Sequence, residues 1–197
     1  MAKRSKAKST AGHCQIGVEA LLLRQGSVLV AHPRNHLREH PNSVVLVTES
    51  TPNSTMGLLL NKPSGATLQE LMRQKNVDWP WPTPVYAGGD VNPTALVMLH
   101  TTEFSSSNTM YVGNNLAISS DNLMLEKLEM GAHPHWYRMF LGCMGWMPID
   151  LAQEIKRSNA PWLMLDTPSL KLIQSAENKT WRRAIDECSQ NTFADYF

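Results

Sequence analysis

Met56-Gly57-Leu58-Leu59-Leu60-Asn61-Lys62-Pro63 is the stretch on which the fold turns. Apolar residues with one glycine among them run into Asn-Lys-Pro, which predicts a short buried strand with a hard stop. Pro63 has no N–H and pushes Lys62 towards extended backbone, so the strand ends there. Gly57 inside it predicts a bulge or the close approach of another backbone. Apolar strand candidates flank the stretch on both sides, which places it centrally in a sheet.

Upstream, Val18–Leu23 and Ser27–Ala31 read as strands joined by a hairpin turn at Arg24-Gln25-Gly26. Val44–Val47 is an unbroken apolar run, hence a strand buried on both faces. Ser50–Ser54 reads as a turn. Downstream, Ala66–Gln74 is the clearest helix in the chain. Thr67 and Glu70 form a capping box, and Leu68, Leu71 and Met72 share one face.

Asp78-Trp79-Pro80-Trp81-Pro82-Thr83-Pro84 cannot be helical. Prolines at alternate positions impose an extended, polyproline-like run. Its tryptophans read either as a lid over the core or as a docking surface, and Trp79 and Trp81 are the candidate partner-binding residues. Val85–Ala87 is a short strand entering Gly88-Gly89-Asp90, and Ala95–Leu99 is another, ending at His100. Thr109–Val112 and Leu116–Ile118 flank Gly113-Asn114-Asn115 as a hairpin. Ser120 or Asp121 caps a helix through Glu129, closed by Gly131. Tyr137–Leu141 is a strand running into Gly142-Cys143-Met144-Gly145-Trp146, and Pro148 opens a helix. Pro161–Leu165 is the last strand. The C-terminal helix sets Trp181, Ile185 and Cys188 on one stripe. Short strands broken irregularly by helices argue for an α+β fold with a mixed, strongly curved sheet.

The chain has 197 residues, 42% of them hydrophobic, enough for one ordinary core. A net charge of +1 supplies no global field for nucleic acid or membrane. No apolar run approaches the roughly 18–20 residues that span a bilayer. Cys14, Cys143 and Cys188 form neither a disulfide framework nor a metal knuckle, and a cytoplasmic location is predicted. Residues 1–12 read as a disordered basic tail ahead of a single domain over residues 13–197. Lys3, Arg4, Lys6 and Lys8 are there either a solvated run or an arm making salt-sensitive, sequence-blind nucleic-acid contacts.

No nucleophile elbow, phosphate loop, dinucleotide fingerprint or zinc-protease helix occurs in the sequence. What remains is a group at strand ends: Asn61, Gly88, Gly89, Asp90, His100, Cys143 and Trp146. Gly88-Gly89 offers backbone N–H groups to an anion, or simply turns. His100 titrates near neutrality, or closes its strand as a hydrogen-bonded structural residue. Cys143 is a nucleophile beside His100, or a buried thiol. Asn61 bonds its own turn. His133-Pro134-His135 lacks a third ligand nearby, so no metal is assigned, and neither is a cofactor or a catalytic residue.

In order and spacing, the stretches Gly26–Pro33, Ser43–Val47, Met56–Pro63, Gly88–Val91, Leu99-His100, Phe140–Trp146, Leu151–Glu154 and Pro161–Leu163 resemble the YqgE/AlgH family. The resemblance implies a single domain with a barrel-like sheet flanked by helices. It implies little chemistry, since the family is mostly uncharacterised or carries a transcriptional-regulator label. The family's Gly-Gly-Pro-Val is Gly88-Gly89-Asp90-Val91 here, and its glycine-rich pattern around Gly142–Ala152 is also altered. The expected function is a non-enzymatic regulatory or interaction module with an unidentified protein partner. One alternative is a small-molecule-binding protein or weak hydrolase with a ligand pocket of Asn61, Gly88, Gly89, His100 and Trp146. The other is nucleic-acid contact through the tail.

Overall fold

The computed structural model describes residues 23–34, 40–156 and 161–194. The basic tail, Cys14 and most of the Val18–Leu23 strand candidate lie outside them. Ten strands and five helices follow one another along the described chain. First come β1 (Val28–Ala31), β2 (Val44–Ser50), β3 (Thr55–Leu59), β4 (Pro63–Thr67) and α1 (Leu68–Gln74). Next are β5 (Pro84–Ala87), β6 (Val91–Thr101), β7 (Met110–Val112), β8 (Leu116–Ser119) and α2 (Asn122–Glu129). The series ends with β9 (Tyr137–Trp146), α3 (Pro148–Lys156), β10 (Trp162–Leu165), α4 (Leu170–Ile173) and α5 (Glu177–Ala194).

The main path through the sheet is β10-β1-β2-β3-β9-β6-β8-β7, with β4 and β5 off it. Pairs along that path are antiparallel, whereas β5 runs parallel to β9, so the sheet is mixed. The leucine-rich strand β3 lies at its centre, between β2 and β9. Both faces of this centre are buried. Val44, Leu46, Leu58 and Leu60 pack on one side with α4 and α5. Val45, Val47 and Leu59 pack on the other with Leu151 of α3 and Trp162. A third cluster lies further along, where α1 and α2 cover β5, β6 and β9. The sheet curls enough that the turn after β7 meets the turn before β1. A Cβ on Gly26 would lie only 3.1 Å from the Gly113 Cα.

Gly57 answers to the close approach read from the sequence: a Cβ there would lie 2.7 Å from the Val45 side chain and 2.8 Å from the Leu46 carbonyl. The capping box is present, with Thr67 Oγ1 accepting from the Glu70 N–H at 3.2 Å and Glu70 Oε2 accepting from the Thr67 N–H at 2.8 Å.

Several boundaries differ from the sequence reading. Pro63 does not only stop one strand; it starts β4, because a first strand residue needs no donor there. The helix begins at Leu68 rather than Ala66, since Thr67 is its N-cap in extended conformation. The strand expected over Ala95–Leu99 extends from Val91 to Thr101, with an irregular register between Val91 and Leu96. The strand expected over Tyr137–Leu141 continues through residues 142–146 as the second half of β9, kinked at Gly142, where φ is +68°. Helix α4 has no counterpart in the sequence pattern. It is a single turn capped by Ser169, too short to carry a period.

Candidate functional site

The candidate ligand residues do not meet. Asn61 accepts from the Val44 N–H at 3.0 Å and donates to the Asn42 carbonyl at 2.8 Å. It therefore fastens the entrance of β2, not its own turn. Gly88 donates its N–H to the Leu141 carbonyl at 2.7 Å and accepts from Leu59 at 2.9 Å. That N–H is spent on β9 and is not offered to an anion. A Cβ on Gly88 would lie 2.3 Å from the Gly142 carbonyl oxygen, and one on Gly89 would lie 2.2 Å from the Cys143 backbone. These glycines exist because two backbones cross in contact. Asp90 is exposed just beyond the crossing.

His100 is fully buried. Its Nδ1 lies 2.9 Å from the Thr101 carbonyl, which can only accept, so Nδ1 carries the proton. Nε2 then accepts from the Ser119 hydroxyl at 2.9 Å, which is in turn 2.7 Å from Thr109 Oγ1. Burial pulls the His100 pKa below its ordinary value, against the Thr101 carbonyl and the Glu103 charge. A neutral ring closed into a hydroxyl chain is a structural group.

Cys143 is half-buried, and burial pushes its thiol pKa up. His100 stands opposite Tyr137 on β9. Cys143 is six residues further along that strand, about 20 Å of extended chain, so no thiol–imidazole pair forms. Trp146 lies at the far end of β9 and sets its ring edge-on to Trp162 at 6.4 Å. The expected pocket of Asn61, Gly88, Gly89, His100 and Trp146 is thus distributed over several places in the sheet, and the hydrolase alternative loses its site with it.

The tryptophan strap divides in two. Trp79 is 3% exposed and sits in the third core cluster with Met72, Met98 and Met124. Its carbonyl accepts from Gln69 Nε2 at 3.0 Å. It belongs to the core and is not itself a docking residue, because it packs in one cluster with side chains of α1 and α2. Trp81 is 48% exposed. Its ring meets His133 edge-on at 6.3 Å, and His133 stacks on Tyr137 at 6.1 Å. The result is an aromatic ladder assembled from the strap, the loop after α2 and the start of β9. Beside it, Glu103 accepts from Thr101 Oγ1 and the His135 N–H and pairs with His135 Nδ1 at 3.2 Å. The Thr101 hydroxyl, more than His135, holds the Glu103 pKa at about 2.

Arg138 escaped the sequence reading. It is 8% exposed in β9, donating to the Leu60 carbonyl at 3.0 Å and the Ser175 carbonyl at 2.9 Å. Tyr86 and Trp136 flank its guanidinium at 4.6 and 5.4 Å. The Tyr86 hydroxyl donates to Glu177 at the start of α5. Burial raises the Tyr86 pKa, against the Arg138 charge. The one available signal was an arginine inside the apolar run of a strand. Among the described residues, no three His, Cys, Asp or Glu side chains gather as a metal site. No helix there is long and apolar enough to cross a membrane.

The AlgH-like family model matches residues 28–192. A UPF0301 protein of Xylella fastidiosa is 27% identical over 170 residues, covering 84% of this chain and 89% of that one. A UPF0301 protein of Marinomonas is 30% identical over 142 residues, covering 70% and 74%. In solved structures, the AlgH protein of Pseudomonas aeruginosa superposes with a TM-score of 0.69 at 23% identity, covering 90% of this chain and 92% of that one. Protein DIP2367 of Corynebacterium diphtheriae gives 0.60 at 26%, covering 76% and 78%. The curled α+β sheet is therefore shared with AlgH, and the chain belongs to the AlgH-like family.

Proposed function

We propose that this protein is a non-enzymatic interaction module of regulatory role, docking a protein partner on the aromatic ladder around Trp81. One observation carries the reading: a single proline-stiffened strap buries Trp79 at 3% exposure and displays Trp81 at 48%. Anchoring the first ring fixes the second before any partner arrives, which lowers the ordering cost of association. A displayed tryptophan backed by His133 and Tyr137 has the composition of an interface centre, where Trp and Tyr carry most of the energy. The regulatory part rests on the family resemblance. Nucleic-acid contact through Lys3, Arg4, Lys6 and Lys8 concerns residues outside those described, and no observation favours it.

Affinity capture from a cell lysate tests the reading, with wild type and Trp81→Ala compared by quantitative mass spectrometry. The variant is expected to lose a partner that wild type recovers. Identical recoveries would remove the ladder from the function.

A further inference from the structure

Three turns that are remote in sequence meet at one end of the sheet. The antiparallel register of β1 and β10, with Val28 opposite Leu165, sets the turn at Arg24–Gly26 beside Asp166. The contact of Gly26 with Gly113 brings in the turn between β7 and β8. Between the three lies a cavity of about 130 Å³.

Its lining has two characters. Val112, Leu116 and Ile173 belong to the buried core and give the cavity an aliphatic floor. The rim is exposed and holds two opposite charges, Arg24 and Asp166, with amides such as Asn114 among them. Arg24 and Asp166 are not paired with each other within 4 Å. A rim that carries both a guanidinium and a carboxylate, not paired with each other, over an apolar floor has the chemistry of a zwitterion site. A guanidinium pairs with a carboxylate in a bidentate fork, and a carboxylate accepts from an ammonium. Size narrows the class further. At about 130 Å³ the cavity is below the usual drug-sized pocket of about 300–1,000 Å³.

We infer that this cavity is a binding site for a free, small aliphatic α-amino acid. Arg24 takes the carboxylate, Asp166 takes the ammonium, and the side chain rests on Val112, Leu116 and Ile173. The site is separate from the Trp81 ladder and stands or falls independently of it.

Isothermal titration of the full chain with L-valine tests the assignment, with valinamide and N-acetylvaline as probes lacking the carboxylate and the ammonium. Each analogue is expected to bind at least about tenfold more weakly than valine, the loss of one charge-assisted hydrogen bond. Arg24→Gln should bind valine and valinamide alike, and Asp166→Asn should bind valine and N-acetylvaline alike. Both positions are exposed, and both variants are expected to melt like wild type. Absence of valine binding at concentrations on the order of 10 mM, beyond the millimolar end of specific affinity, would overturn the inference. So would valine binding that neither substitution alters.

Discussion

The Arg138 guanidinium donates to the Leu60 carbonyl at 3.0 Å, tying the last leucine of the central stretch to β9 across the sheet. Its other arm reaches Ser175 at the corner between α4 and α5. One buried cation thus ends the central strand and seats the C-terminal helix. Hydrogen bonds to charged groups contribute about 1.5–3 kcal/mol, and leaving two carbonyls dry costs more than losing the bonds alone. Arg138→Met, which keeps the stem and removes the donors, is expected to lower unfolding stability by about 3 kcal/mol. Chemical denaturation checks this; a loss under about 0.5 kcal/mol, the level of a neutral surface change, would contradict the role.

The crossing of Gly88-Gly89 over Gly142-Cys143 leaves no room for a methyl group. The atom that a Gly88→Ala side chain meets is a carbonyl oxygen at 2.3 Å, and backbone cannot rotate away. Overpacking in cores costs about 1–3 kcal/mol even when side chains can shift, so about 3 kcal/mol or more is expected here. The melting temperature of Gly88→Ala measures it. A variant as stable as wild type would place the crossing elsewhere.

Acid should lower stability through two groups. His100 has a lowered pKa when folded, so the unfolded chain binds its proton more readily. Stability is lost as the pH falls below the ordinary histidine value of 6.5. Glu103 is held at about 2 against an ordinary 4.5, so the stability it contributes is present above 4.5 and lost as the pH falls towards 2. The Glu103 part is small because the group is exposed and screened. Denaturation curves across pH should show that Glu103→Gln flattens the lower window and slightly deepens the His100 one, since the Glu103 charge that props up the His100 pKa is lost. A Glu103→Gln profile unchanged in the lower window would remove the Thr101–Glu103–His135 contact from the account.

Local rules were enough wherever a signal was local. The Thr67–Glu70 box, the doubly buried Val44–Val47 run and the close approach at Gly57 could be read because each rests on a few neighbouring residues. The glycines at 88, 89 and 142 were visible as glycines, but their purpose was not. Whether a glycine turns or lets a second backbone pass depends on a segment some fifty residues away. Trp79 and Trp81 have almost the same local surroundings, and only the packing of Trp79 with side chains of α1 and α2 separates core from surface. Arg138 gave no pattern, since one charge in an apolar strand has no period. The cavity at Arg24 and Asp166 is built from three turns that share no motif.

The central claim is that the strap anchors with one tryptophan and docks with the other. Trp79→Ala should cost about 3–5 kcal/mol of stability, the usual loss for a large buried aromatic, whereas Trp81→Ala should stay within about 0.5 kcal/mol. The decisive measurement is the dissociation constant of a purified partner for wild type and for Trp81→Ala, at temperatures where both are folded. The account predicts a weakening of about thirtyfold, the lower bound for an interface hot spot. Equal dissociation constants would contradict it.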